Sequence, residues 1–124
     1  MSNQTDAAMS FLKMAGMGKV QEAYDRYIAP SFIHHNQYFK GDRQSLLNAM
    51  HEASKATPNK SIDIMRVNED GDTVITHSLV TRQDPQAPDV AVVHIFRYDQ
   101  DHIVELWDVG QPVSEDSPNE NGMF

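Results

Sequence analysis

A histidine and an aspartate lie in two neighbouring apolar segments towards the C-terminal end of the chain. His94 belongs to residues 90–98, Asp108 belongs to residues 103–111, and a short polar turn joins the two segments. β-Branched and aromatic residues dominate both segments, which predicts the two strands of a hairpin. Side chains alternate between the faces of a strand, and the neighbours that share a face with each of these two residues are largely apolar. If the two faces coincide, one imidazole and one carboxylate face an apolar pocket.

This pair has two interpretations. A carboxylate among aliphatic side chains is poorly solvated, which strengthens it as a base, and a nearby imidazole can orient it or polarise a substrate carbonyl. The alternative is that His94 and Asp108 form a buried structural pair, or that Asp108 ends its strand close to solvent. The spacing of the two residues, taken by itself, favours the structural alternative.

The other histidines and carboxylates do not form a recognisable catalytic motif. The chain has six histidines but no HExxH, and the adjacent pair His34 and His35 would point to opposite faces of a strand. A serine nucleophile would need a sharp glycine-rich turn such as GxSxG, which the sequence lacks. We therefore expect no metal site and no nucleophilic triad.

Composition excludes further classes of function. The 124 residues suffice for one core, and the absence of cysteine excludes disulfides and thiolate chemistry. The net charge of −8 argues against binding to nucleic acid. No stretch approaches the roughly 20 apolar residues of a membrane span, and no secretory signal is recognisable. We expect a single cytoplasmic domain, 1–124, with neither a nucleic-acid nor a membrane partner.

The hydrophobic period changes along the chain from 3.6 to 2, which predicts an α+β fold. Thr5 or Asp6 is the expected cap of the first helix, and Pro30 is expected to end the second. A longer connection with Pro85 spans 84–89, and a polar tail begins at about residue 113. The predicted elements are helices over 5–15 and 19–28, an extended segment over 32–36, a helix from Gly41 and Asp42 to before Pro58, and strands over 62–68, 73–82, 90–98 and 103–111.

Several segments together resemble the SnoaL-like polyketide cyclase family of the nuclear-transport-factor-2-like superfamily. The most specific is Ile-Val-Glu-Leu-Trp-Asp, and Leu106 within it stands where family members often have histidine. The segments that carry the resemblance are 27–36, Gly41, 69–77, 94–97, 103–109, Gln111 and the Asn-Gly-Met-Phe tail. The resemblance implies a cone-shaped α+β barrel, in which a bent antiparallel sheet wraps around N-terminal helices and encloses one deep pocket.

The resemblance also implies a function. Such cyclases close a ring by intramolecular aldol condensation without metal or cofactor, and the matching positions make Asp108 the acid/base residue and His94 its partner. The expected ligand is a small apolar or aromatic carbonyl compound. Further residues expected to line the pocket or bind substrate are His35, Asn36, His77, Tyr27, Leu106 and Gln111.

Other functions remain open from the sequence. A non-catalytic module of the same fold would bind a small molecule or dimerise without using the basicity of Asp108. Epoxide hydrolysis would need an Asp-Arg-Asp set, but Arg97 lies on the opposite strand face from His94.

The strand face opposite to that of His94 is apolar enough to predict a homodimer. It carries Val93, Ile95, Trp107 and Val109, and alternation also assigns Ile103 to it. At the C-terminus, Met123 and Phe124 are predicted to dock on the body of the protein.

Overall fold

The structure, a computed structural model, describes residues 2–57, 60–82, 84 and 86–124. The elements in chain order are α1 (Asn3–Gly16), α2 (Val20–Tyr27), β1 (Ile28–His34), α3 (Arg43–Ala56), β2 (Lys60–Asp70), β3 (Thr73–Arg82), β4 (Val90–Asp99) and β5 (His102–Pro112). The strands form one five-stranded sheet in the order β1-β5-β4-β3-β2, with the helices packed against one face. The α+β prediction is confirmed. Pro58 and Pro85, on which two of the predicted boundaries depend, lie outside the described residues.

The first helix begins earlier than its sequence predicts. Ser2, rather than Thr5 or Asp6, is the N-cap, because its hydroxyl oxygen accepts a hydrogen bond from the Thr5 backbone N–H over 3.2 Å. The buried stripe follows the predicted helical period and contains Ala8, Phe11 and Leu12. The α3 helix is capped by Asp42, whose carboxylate accepts from the Ser45 N–H.

The second helix ends at Tyr27, and Pro30 lies inside strand β1 rather than at a helix end. A proline is tolerated there because β1 is an edge strand and its pairing is interrupted between Ile28 and Ile33. β1 runs parallel to β5, whereas the other three strand pairs are antiparallel. The sheet is therefore mixed and open, with β1 and β2 as its edges, rather than wholly antiparallel and closed.

The hairpin of β4 and β5 sets the faces of the sheet. His94 pairs with Asp108, but the register shifts between Arg97 and Tyr98, so that Tyr98 pairs with Ile103. Such a bulge adds one residue to a strand and reverses the alternation beyond it. Ile103 is consequently fully buried with the helices, and its assignment to the outer face is wrong.

The core lies between the helices and the inner face of the sheet. The Phe11 ring on α1 packs against Tyr24 on α2 at 5.9 Å and edge-on against Phe96 on β4 at 6.2 Å, measured between ring centroids. On the outer face, the ring of the C-terminal Phe124 stacks on His77 at 5.3 Å. The predicted docking of the apolar C-terminus is therefore seen at Phe124.

Candidate functional site

The helices leave part of the inner sheet face uncovered, and a cavity of about 330 Å³ lies there. Its wall is largely aliphatic, with polar side chains from the strands and from the loop after β1. This size and character are typical of small-molecule sites. The lining residues include Phe11 and Leu12 of α1, Leu46 and Met50 of α3, Lys60 and Ile62 of β2, Val80 and Arg82 of β3, Val92 and His94 of β4, Leu106 and Asp108 of β5, and the loop residue Asn36.

His94 and Asp108 are directly opposite one another in the β4–β5 register, and both border the cavity. The His94 ring stacks on Phe96 with an interplanar angle of 19°. Its Nδ1 atom is buried, and no described residue hydrogen-bonds it. The structure thus brings the imidazole and the carboxylate to one wall without a direct hydrogen bond between them among the described contacts.

Burial lowers the pKa of His94 to about 4, and the nearby Asp108 carboxylate offsets only part of this effect. The imidazole is therefore neutral at pH 7. An orphaned buried N–H is rarer in proteins than an orphaned acceptor, which favours the tautomer with the proton on Nε2 and the lone pair on the buried Nδ1. In that tautomer, His94 is a neutral hydrogen-bond donor at the cavity.

Asp108 is held by a short network from the loop that follows β1. The side-chain nitrogen of Asn36 donates to Oδ2 of Asp108 over 2.9 Å, and Oδ1 of Asn36 accepts from the Tyr38 backbone N–H over 3.0 Å. The Asn36 backbone N–H donates to Nδ1 of His34, whose Nε2 in turn donates to the Lys40 carbonyl. The amide of Asn36 is thereby fixed in one orientation, and only one oxygen of Asp108 is engaged by it.

A second cleft of about 580 Å³ adjoins the cavity and shares Asn36, Arg82 and Asp108 with it. His35 and Gln111 line this cleft rather than the cavity. His35 follows the inward-facing His34 in the chain and therefore points outward, as alternation predicts for this pair.

The outward position of His35 is set by its contacts. Its ring stacks on Trp107 at 4.7 Å, and Nε2 donates to a Glu105 carboxylate oxygen over 2.6 Å. The hydrogen bonds from His35 and Arg97 lower the pKa of Glu105. Arg97 thus lies on the outer face, and among the described residues Asp108 is the one carboxylate on the cavity wall. This wall lacks the second carboxylate that an epoxide-hydrolysing Asp-Arg-Asp set needs.

Two of the predicted substrate-binding residues border neither the cavity nor the cleft. His77 lies on the outer face against Phe124, because the inner positions of β3 are Val74, Thr76 and Ser78. The hydroxyl of Tyr27 donates to Ser10 over 2.8 Å, and Tyr27 lines a separate pocket together with Gln4 and Tyr98. The predicted residues that the structure brings together are His94, Asp108, Asn36 and Leu106 at the cavity, with His35 and Gln111 at the cleft.

Three residues at the site were not predicted from the sequence. His34 has the inward parity of Phe32 and could have been found by alternation along β1. Lys60 and Arg82 pair across β2 and β3 and both line the cavity. Each lies at the end of its strand, where sequence patterns do not show which way a long side chain turns.

Within the part of the chain that the structure describes, no group of three or more His, Asp or Glu side chains is placed to hold a metal ion. No helix there is long and apolar enough to cross a membrane.

Neither a protein-family model nor a curated protein matches this sequence. Solved structures do match it over most of its length. They include AclR from Streptomyces galilaeus, provisionally described as a hydroxylase, with 16% identity over 87% of this chain and 88% of that chain and a TM-score of 0.75. A protein from Acidithiobacillus ferrooxidans, provisionally described as a polyketide cyclase, shows 19% identity over 89% of each chain and a TM-score of 0.74.

A third matching structure is an NTF2-like protein of unknown function from Cytophaga hutchinsonii. It shows 13% identity over 88% of this chain and 90% of that chain, with a TM-score of 0.70. Identities this low establish a shared fold and not a shared reaction. The chain has the nuclear-transport-factor-2-like fold, which it shares with structures provisionally described as polyketide cyclases.

Proposed function

We propose that the protein is a cofactor-independent acid/base enzyme that acts on a small carbonyl compound, by aldol cyclisation or isomerisation. The observation that carries this proposal is the pairing of His94 with Asp108 on one wall of a largely aliphatic cavity. The two groups are suited to different tasks: the carboxylate accepts a proton, and the neutral imidazole donates a hydrogen bond.

The reaction would begin with proton abstraction beside the carbonyl. Asp108 takes the proton on the oxygen that Asn36 does not engage. The Nε2–H of His94 donates to the carbonyl oxygen, where negative charge develops as the enolate forms. A neutral donor keeps its proton in this step, which suits a group that must stabilise the enolate rather than protonate it.

The second half-reaction depends on the substrate. In an aldol cyclisation, the enolate carbon attacks a second carbonyl of the same molecule, and the resulting alkoxide takes the proton back from Asp108. In an isomerisation, Asp108 returns the proton to a different carbon. Both routes leave the enzyme unchanged, so neither needs a redox partner. The apolar wall favours a substrate with an apolar or aromatic body. Leu106, which lies two residues before Asp108 on β5, is part of this wall.

The comparison with known structures supports this class of chemistry, since one matching protein is provisionally described as a polyketide cyclase. The sequence supports this proposal too, because the segment that contains Asp108 is the one that most specifically resembles the SnoaL-like family.

The test is hydrogen–deuterium exchange at the acidic carbon of a panel of ketones, which reports proton abstraction before any later step. We expect wild-type protein to catalyse exchange for at least one aryl ketone or diketone, and Asp108→Asn to lower that rate by roughly 10²–10⁴. Asp63→Asn is the matched control, because Asp63 is an exposed residue on β2.

The stability of Asp108→Asn distinguishes the enzyme from a binding module. The side-chain oxygen of asparagine can still accept the hydrogen bond from Asn36, and the substitution removes a charge beside an aliphatic wall, so the free energy of unfolding is expected to stay nearly unchanged. A loss of about 1–3 kcal/mol, together with no exchange across the panel, would identify Asp108 as a structural residue. The protein would then be a non-catalytic module that binds a small molecule in the same cavity.

A further inference from the structure

Two cationic side chains border the cavity at a distance from His94 and Asp108. Lys60 begins β2 and Arg82 ends β3, and the two residues are directly opposite in the register of these strands. Both are half-buried, and both line the cavity. Arg82 also lines the second cleft beside it. The cavity wall therefore carries two adjacent positive charges.

These charges are not neutralised within the described part of the chain. The chain has 18 Asp and Glu residues against 10 Lys and Arg residues, yet no described carboxylate forms an ion pair with Lys60 or Arg82. Like charges directly opposite on neighbouring strands destabilise a sheet. Burial, and then the charge of Arg82, lower the pKa of Lys60, because both make the protonated ammonium less favourable. An anion between the two side chains would remove this cost.

The pair and the proposed acid/base residues occupy different parts of the site. Thr76 is opposite His94 in the β3–β4 register, and the backbone of Arg82 lies six residues further along β3, which is roughly 20 Å of extended strand at about 3.3 Å per residue. The long side chain of Arg82 shortens this separation, since it lines the cleft that Asp108 also lines. The wall between them is aliphatic and includes Val80, Val90 and Val92. A ligand that spans the site would have a carbonyl at one end, an apolar middle and a charged group at the other end.

We propose that Lys60 and Arg82 bind a carboxylate of the substrate, so that the protein acts on carbonyl compounds that also carry an acid group. A guanidinium presents two parallel N–H donors that match the two oxygens of a carboxylate, and the ammonium adds a further donor. The separation of this pair from Asp108 keeps the substrate carboxylate away from the carboxylate that acts as the base. This proposal rests on the proposed function, because it concerns the substrate of the same cavity.

The test compares acids with their own methyl esters. The probes are aryl keto acids of increasing chain length, beginning with 4-oxo-4-phenylbutanoate, and binding is measured by calorimetry at one fixed salt concentration. We expect wild-type protein to bind at least one acid roughly 10- to 100-fold more tightly than its ester, as charge-assisted hydrogen bonds would provide.

Variants assign the preference to the two cations. The double variant with Lys60→Gln and Arg82→Gln is expected to bind acid and ester with equal affinity. Arg66→Gln removes the same charge from an exposed position on β2 that pairs with His77 on the outer face, and it is expected to keep the preference. Urea unfolding of the double variant, compared with that of the wild type, reports separately whether it is folded.

The outcome is separable from that of the proposed reaction, because binding is measured without turnover. Asp108→Asn is expected to keep the preference for the acid while it loses proton exchange. The carboxylate proposal is overturned if no acid in the series binds more tightly than its ester, including the case in which nothing binds. It is also overturned if the double variant retains the preference.

Discussion

Asn36 and Asp108 are joined by a hydrogen bond of 2.9 Å, although 72 positions separate them in the chain. The donor lies in the loop after β1, and the acceptor lies on β5, which is the parallel neighbour of β1. The same amide is held by the Tyr38 N–H, and the Asn36 backbone is held by His34. The carboxylate is therefore oriented by the loop and not by the histidine opposite to it. This is the arrangement expected for a base whose second oxygen must stay available.

The first prediction concerns this bond. Asn36→Ala removes the donor to Asp108, so the carboxylate can rotate away from its productive orientation. We expect proton exchange on a ketone substrate to fall by roughly 10- to 100-fold, since a charge-assisted hydrogen bond contributes about 1.5–3 kcal/mol. Measured exchange rates and unfolding free energies for the same samples will separate this effect from general destabilisation.

The matched control is Asn48→Ala. Asn48 is an exposed residue of α3 that accepts a hydrogen bond from Gln44 on the helix surface. It is expected to leave the exchange rate unchanged. Equal rates in wild type and Asn36→Ala would show that the loop does not position the base.

The hairpin shows how far sequence reasoning reaches. Alternation along β4 and β5 places His94 and Asp108 on one face, and the structure has them opposite in register. The same alternation fails for Ile103, because one extra residue in β5 reverses the faces beyond it. A bulge leaves no mark in the hydrophobic period when the residues on both sides of it are apolar.

Long-range neighbours were harder to predict than faces. The pairing of β1 with β5 depends on how the chain crosses the sheet, which local periodicity does not report. Lys60 and Arg82 are likewise adjacent only because β2 and β3 form a long hairpin whose two ends meet. The similarity to a known family pointed to Asp108 but not to these cations, since it rested on other segments.

A second prediction concerns self-association through the outer sheet face. Val109 there is 69% exposed, and Ile75 on β3 is 39% exposed, which is a large apolar surface for a protein with a charge of −8. We expect a homodimer, detected as twice the chain mass by sedimentation equilibrium at micromolar concentration. A mass equal to one chain would contradict the prediction.

A charge introduced at the most exposed of these apolar positions is a stricter form of that test. Val109→Glu is expected to give a folded protein with the mass of one chain, because burying an unpaired carboxylate in an interface is costly. Gln21→Glu adds the same charge at an exposed position of α2 and is expected to leave the mass unchanged.

A third prediction concerns the C-terminus. Phe124 stacks on His77 and remains 39% exposed, so it buries only part of its ring. We expect Phe124→Ala to lower the melting temperature by about 4 °C, which corresponds to about 1 kcal/mol in a domain of this size. Tyr38→Ala is the control, because Tyr38 is 79% exposed. Equal melting temperatures for the two variants would exclude a stabilising role for the docked tail.

The fourth prediction follows from the buried imidazole of His94. Its pKa is lowered from an ordinary 6.5 to about 4 in the folded protein, whereas in the unfolded chain it returns to about 6.5. Between these two values the unfolded chain binds a proton that the folded protein does not. The free energy of unfolding therefore falls as the pH is lowered through this range and is unaffected by His94 above it. Linkage gives a loss of about 2 kcal/mol between pH 7 and pH 5.

His94→Gln isolates this contribution, because glutamine fills similar space and does not titrate. Urea unfolding of both proteins at pH 7 and pH 5 measures the difference, and every other titrating group is common to the two. We expect the wild type to lose about 2 kcal/mol more than His94→Gln over this interval. An equal loss in both proteins would mean that the imidazole takes up its proton in the folded state. In that case His94 would be a cation at mildly acidic pH, and it could not serve there as the neutral donor that the proposed reaction requires.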